Sequence, residues 1–317
     1  MAENILFSIQ TCTYNRADTL VRTYQSLAAQ TFKGFEWIVY DNGSTDNTQM
    51  LVEQWQKEAD FPIVLMGRTD NAAVQLSWNI VLGVARGKFW TLLDSDDACV
   101  PAALEIFKSK WDSIPLNEQN EFVGVACTCV NQHGDIVGNR FPTDPLDTSA
   151  LDLTYKHKVK GEKWGVMRVE VMRQFPFPSE KHHVLPGVVW RAVAKKYKTR
   201  YFNESLRIYY VNEGDRADQM SFHQDISVVG FGKRETALDL LNNYLPWLVR
   251  APLELCRSLY VYTQVSLELG YGFSDQIRAI NPMPAKILFL FARPFVGVWK
   301  ILPRQVESKV RGLLGYS

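Results

Sequence analysis

The residues of this chain best suited to chemistry are Asp94, Asp96 and Asp97, three carboxylates within the short run Asp94-Ser95-Asp96-Asp97. They follow an apolar segment, Phe89 to Leu93, that reads as a strand. A strand ending in Asp94 and Asp96 delivers two hard oxygen ligands to the mouth of a sheet, where a divalent cation and a diphosphate can meet. Mg²⁺ favours such a set, one or two carboxylates completed by substrate phosphates. For an isolated D-x-D the plainer reading prevails, a solvated turn capping the helix that starts near Pro101. The rest of the chain decides between the two.

The elements around this run alternate. Ile5 to Cys12 reads as a strand, and Leu20, Val21, Tyr24, Leu27 and Ala28 recur at helical spacing. Phe35 to Tyr40 is a second strand, and Ser44 or Thr45 caps a helix carrying Met50, Leu51 and Trp55. Ile63 to Met66, Val74 to Val84 and Phe89 to Leu93 continue the pattern as strand, helix and strand. This order predicts a parallel sheet with helices on both faces, an architecture that binds ligands at the carboxyl ends of its strands. Every polar cluster falls there: Thr11 to Arg16, Asp41 to Asp46, Arg68 to Asn71 and Asp94 to Asp97. Further on, Val123 to Asn131 with His133-Gly134-Asp135 suggests a hairpin, and Asn139 to Lys160 reads as a loop over the sheet edge. Trp164 to Met172 is strand then short helix, Val188 to Tyr197 a helix and Leu206 to Val211 a late strand; beyond Gly214 the pattern is helical.

Composition narrows the function classes. At 317 residues and 46% hydrophobic content the chain supports a substantial core, and a net charge of +1 provides no field to recruit nucleic acid. Five cysteines without a C-x-x-C pair fit reduced thiols better than a disulfide framework or a zinc site. Met1-Ala2-Glu3-Asn4 carries no basic leader segment, and Arg293, Pro294 and Lys300 interrupt the most apolar stretch, Ile287 to Leu302, so a cytoplasmic protein is expected. From Arg278 to Ser317 seven basic residues face Glu307 alone. This tail has two readings: an amphipathic segment peripheral to the inner face of the plasma membrane, carrying Phe289, Phe291, Phe295, Val298 and Trp299, or a helix closing onto the catalytic domain.

Taken in order, the motifs Thr13-Tyr14-Asn15-Arg16, Gln30-Thr31-Phe32, Glu36 to Thr48, Asn71, Asn79, Gly87 and Leu93 to Asp97 resemble the family 2 glycosyltransferases of GT-A fold. Asn203 to Tyr210 is similar to that family's closing strand, so the resemblance runs from Ser8 to Val211. It implies a Rossmann-like mixed sheet in residues 1–215, with a nucleotide-sugar half to about 98 and an acceptor half from 99, followed by a helical region over 216–317. It also implies an inverting transfer from a nucleoside diphosphate sugar to a hydroxyl of a glycan or polyprenyl-linked acceptor, with Mn²⁺ or Mg²⁺, in surface polysaccharide synthesis. Within that frame Tyr14 offers a ring for a nucleobase, Thr13 an adjacent hydrogen-bonding group, and Asp41 an acceptor for the imide N–H of uracil or thymine. Arg16, Arg68, Asn71 and Ser95 complete the expected nucleotide-sugar contacts, although Arg68 reads almost equally well as a surface residue. Asp94 would face the ribose and, with Asp96, the metal. Asp46 is expected to cap a helix.

The chain departs from the family where many relatives carry a Glu before the helix that starts near Val188: here Pro186-Gly187 stands in its place. Glu180 and Asp97 are then the candidate bases, with His182 and His183 nearby in sequence. The departure keeps open a second function, nucleotide-sugar binding without turnover. Nucleotidyl transfer shares the sheet and the metal, but Thr11 to Arg16 contains none of the glycines of a phosphate loop.

Overall fold

The computed structural model describes residues 5–69, 74–178, 186–210 and 226–299. The alternating pattern becomes β1 (Phe7–Thr13), α1 (Ala17–Ala28), β2 (Phe35–Asp41), α2 (Thr48–Glu58), β3 (Ile63–Gly67), α3 (Val74–Val84) and β4 (Phe89–Leu92). These four strands run parallel in the order β3-β2-β1-β4. Next come β5 (Ala98–Cys99), α4 (Ala103–Asp112), β6 (Phe122–Asn131), β7 (Leu146–Thr148), α5 (Ala150–Tyr155), β8 (Lys163–Arg168), α6 (Val169–Met172), α7 (Gly187–Ala194) and β9 (Lys198–Tyr209). β8 joins β4 to β6 antiparallel, β9 pairs parallel with β6, and both β5 and β7 lie antiparallel to β9. The sheet is therefore mixed.

Strand period two assigns each face. Trp37 and Val39 of β2 join Phe7, Ile9, Leu20, Leu27, Trp55 and Phe107 in one apolar layer. Ile38 and Tyr40 point the other way, into a layer with Val81, Leu82, Trp90, Val123 and Val193. Each fully buried side chain of this size contributes about 1.5–3 kcal/mol, so a one-residue slip of β2 would exchange both layers at once and is strongly disfavoured.

Three local expectations are corrected. Asn139 to Lys160 is not an unbroken loop, since β7 pairs with β9 and α5 is capped by Ser149, whose hydroxyl accepts the Asp152 N–H. β9 begins at Lys198, well before Leu206. The first turn of α2 is held by Asp46, which accepts the Thr48 N–H at 3.0 Å, rather than by Ser44 or Thr45. The hairpin after β6 is limited to one bridge, Val130 with Ile136.

The chain divides into two compact units, Met1–Ser179 with Val189–Gly214, and Glu180–Val188 with Asp215–Ser317. In the second unit α8 (Ile226–Asn243), α9 (Leu245–Leu248), α10 (Pro252–Glu268), α11 (Phe273–Ala279) and α12 (Met283–Trp299) follow one another, and α10 packs against α8 and α12. Tyr262 of α10 is fully buried, donates its hydroxyl hydrogen to the Gln276 carbonyl at 2.7 Å and meets Phe289 edge to face. Among the described residues no helix is long and apolar enough to cross a membrane.

Candidate active site

The carboxyl ends of β1, β2, β3 and β4 bring four short loops side by side. Thr13 stands opposite Asp41, and Asp41 opposite Gly67, so one row of the sheet ends in these residues. Beyond the row, Asn42 donates its N–H to the Thr13 carbonyl at 2.9 Å and Arg68 its N–H to the Asp41 carbonyl at 3.0 Å. Gly43 turns the chain there with φ +88, and an added Cβ would come within 3.0 Å of the Thr69 backbone. Side chains then tie the first two loops together. Asn15 Oδ1 accepts the Thr45 N–H at 2.7 Å, the Asn15 N–H goes to Ser44 Oγ at 2.9 Å, and Asp46 accepts the Ala17 N–H at 3.1 Å.

On this platform Tyr14 is 41% exposed, as a stacking surface requires. Thr13 is buried, and its hydroxyl has no partner among the described residues. Asp41 is also buried; Oδ1 accepts the N–H and the hydroxyl of Ser44 at 3.0 and 2.5 Å, while Oδ2 accepts no bond among the described residues. A carboxylate held rigidly by one oxygen presents the other as a fixed acceptor.

The acidic turn after β4 is built from three directions. Leu93 extends β4 by donating its N–H to the Gln10 carbonyl at 2.9 Å, and its own carbonyl accepts the Thr11 hydroxyl at 2.8 Å. From α1, Thr23 donates its hydroxyl to the carbonyls of Asp94 and Asp97, and Arg22 donates Nη1 to the Asp96 carbonyl at 3.0 Å while lying 3.6 Å over the Tyr210 ring. From β9, Arg207 enters between the carboxylates. It donates Nη2 to Asp94 Oδ2 at 2.5 Å and Nε to Asp97 Oδ2 at 2.6 Å.

The three aspartates thus differ in kind. Asp97 is 1% exposed, with Oδ2 on Arg207 and Oδ1 accepting the Tyr210 N–H at 3.0 Å. Burial pushes its carboxyl up to about 6 against the opposing pull of Arg207. Burial opposes the charge of Arg207 as well, but Asp94 and Asp97 raise the guanidinium above its ordinary value and it stays protonated. Both oxygens of Asp97, a candidate base in the sequence, are thus engaged, one by Arg207 and one by the Tyr210 backbone. Asp94 remains largely exposed, at 61% of its side chain. The carboxylate of Asp96 meets Arg16 Nη1 at 3.9 Å; burial first and Asp94 second raise it above the usual carboxylate range, and Arg16 pulls it back. Ser95, 9% exposed, lies between them. Asn71, Glu180, His182 and His183 lie outside the described residues.

Among the described residues no three His, Cys, Asp or Glu side chains stand together as a metal cage. Asp94 and Asp96 nevertheless fit the donor set of an ion shared with phosphates, which needs only one or two carboxylates from the protein. Arg207 is the residue that motif reading missed. Its signal was present as a charge between Leu206 and Ile208, the one charged residue in the segment Leu206 to Val211.

Comparison with known proteins agrees with this geometry. The Glycosyl transferase family 2 model matches residues 8–131. The uncharacterized glycosyltransferase MJ1057 of Methanocaldococcus jannaschii is 30% identical over 213 residues, 66% of this chain and 72% of that one. The GalNAc(5)-diNAcBac-PP-undecaprenol β-1,3-glucosyltransferase of Campylobacter jejuni is 25% identical over 225 residues, covering 70% of this chain and 66% of its own length. Among solved structures, residues 1–349 of S. aureus TarS in complex with UDP-GlcNAc superpose with a TM-score of 0.62 at 18% identity, over 92% of this chain and 88% of that one. The full TarS chain is longer, and 53% of it is covered. The mixed sheet with C-terminal helices is accordingly of GT-A type. A carboxyl-edge acidic turn on this sheet, in a chain alike over most of its first unit to such proteins, leads to one assignment: the protein belongs to glycosyl transferase family 2 and is a glycosyltransferase.

Proposed function

We propose that the protein transfers a sugar, with inversion, from a UDP-sugar to a hydroxyl of a lipid-linked or glycan acceptor in surface polysaccharide synthesis. The observation that carries the donor half is Asp41, buried and anchored through Oδ1 with Oδ2 open, in register with Thr13 and one residue from the exposed ring of Tyr14. A uracil stacked on Tyr14 can donate its imide N–H to Oδ2, whereas cytosine and adenine present no such donor there. The TarS complex with UDP-GlcNAc supports a uridine donor, and the name of the Campylobacter relative supports an undecaprenol-linked acceptor.

In this reading Asp94 and Asp96 hold Mn²⁺ or Mg²⁺, which when bound supplies Lewis-acid stabilisation to the departing diphosphate. Two remote GT-A-like structures, a mannosyltransferase of Pyrobaculum calidifontis and GalNAc-T7, were solved with Mn²⁺. Arg207 aims Asp94, Arg16 lies beside Asp96, and Arg22 with Thr23 fixes the turn that carries both. Transfer forms a bond from the acceptor oxygen to the anomeric carbon as the bond to the UDP oxygen breaks, and the acceptor proton passes to a base. With Asp97 committed to Arg207, Glu180 keeps that role on sequence grounds alone. The same commitment favours a second reading, donor binding without turnover.

A thermal-shift panel of UDP, GDP, dTDP and CMP, each with and without Mn²⁺, tests the donor site. A Mn²⁺-dependent rise with UDP that Asp96→Ala lacks is expected; no rise with any nucleotide would remove the reading. Glu180→Gln should lower transfer while leaving that rise intact. Uptake of UDP with neither transfer nor donor hydrolysis, across lipid-linked and glycan acceptors, would establish the second reading.

A further inference from the structure

We propose that the outer face of α12 docks the protein on an anionic lipid surface, the helix lying along the headgroup layer. The inner face of α12 is already satisfied: Ala285 and Phe289 are fully buried, Phe289 against Tyr262 and Phe273. Phe289 therefore cannot face lipid, contrary to the amphipathic pattern read from the sequence. The outer face consists of Met283, Ile287, Leu290 and Phe291, exposed at 66, 47, 45 and 72%. Pro284 and Pro294 are exposed in the same stripe. The spacing of three and four residues makes one continuous apolar face about 16 Å long, with no polar side chain in it.

Charge selects the occupant. α12 contains no acidic residue, Lys286 is half-buried on its flank, and Arg278 is exposed at the end of α11. The acid of α11, Asp275, already accepts the Gly272 N–H at 3.2 Å. From Arg278 onward the sequence is about +6, against +1 for the whole chain. A second copy seated on this face would bring like charges together, whereas an anionic bilayer takes the apolar stripe into its interface and the basic flank onto its headgroups. The helix lies on the membrane rather than across it, because no described helix has the length and hydropathy to span. This docking stands independently of the donor reading and would place the enzyme where a lipid-linked acceptor resides.

The test is sedimentation of the full chain with vesicles of phosphatidylcholine alone or mixed with phosphatidylglycerol, at low and high salt, without donor or acceptor. Binding is expected to the mixed vesicles, weakened by salt. Ile287→Glu with Phe291→Glu should lower the partition coefficient at least about tenfold, and Lys286→Glu about fivefold. Both variants change exposed or half-exposed positions, and an unchanged melting temperature with an unchanged UDP and Mn²⁺ shift would show them folded and donor-competent. Failure of the parent to bind mixed vesicles, equal binding to phosphatidylcholine alone, or no effect of the double variant would each overturn the proposal. So would a dimer in light scattering that the double variant dissociates, in a protein that ignores vesicles, because the face would then serve self-association.

Discussion

Two groups of charge, each built around one buried carboxylate, sit at opposite ends of the parallel strands and behave oppositely. Near the amino ends, Glu36 is 1% exposed and fully used: Oε1 accepts the Ser8 hydroxyl and the Arg86 N–H, and Oε2 accepts Arg86 Nε, all within 2.6–2.7 Å. Near the carboxyl ends, Asp97 is equally buried and paired with Arg207, yet its neighbours keep open oxygens, Asp94 beside the same Arg207 and Asp96 beside Arg16. A carboxylate whose hydrogen bonds all close within the protein maintains structure. One left partly unsatisfied beside a fixed cation is suited to a ligand that brings its own charge.

The sharpest break of this contrast is Asp96→Ala. Transfer should fall by about a hundredfold to a thousandfold with little change in melting temperature in the absence of ligand, measured as initial rate and by thermal scan. Glu36→Ala should do the reverse: it strands the Ser8 hydroxyl and the Arg86 N–H and should cost about 2–3 kcal/mol in urea unfolding, with UDP affinity of the folded protein unchanged. If Glu36→Ala abolished UDP binding in protein still folded, or Asp96→Ala unfolded the chain, the distinction between the two ends would fail.

Smaller effects refine the carboxyl end. Asp41→Asn replaces an acceptor by an amide and should weaken UDP binding about tenfold or more, with CMP affected less, as read by calorimetry. Tyr14→Ala should weaken all nucleotides by about fivefold to tenfold through lost stacking, and Tyr14→Phe should leave binding almost unchanged. A large loss in Tyr14→Phe would assign the hydroxyl, not the ring, as the contact.

Much of the first unit was legible without coordinates. The alternation of Phe35 to Asp41, with Trp37 and Val39 on one face and Ile38 and Tyr40 on the other, is a local pattern, and so is the helical spacing of Leu20, Tyr24 and Leu27. The short pieces were not: β7 has three residues and α5 six, too few for periodicity to register, and both depend on partners such as β9 that lie far along the chain. Which side of α12 carries Phe289 inward was not legible because Lys286 and Arg293 are its only polar residues, and only packing against Tyr262 shows which side is inside.

The sequence by itself determined that Asp41 and Asp94 to Asp97 would stand at the ends of parallel strands of one sheet, since strand and helix periods are properties of neighbouring residues. Which aspartate is closed and which remain open was decided only by tertiary structure. Arg207 reaches Asp97 across 110 positions of sequence, through the pairing of β9 with β5 and β6. Nothing in the spacing of Asp94, Asp96 and Asp97 foretells which of them meets a cation brought from so far away, because that pairing is a contact of the fold and not of the segment.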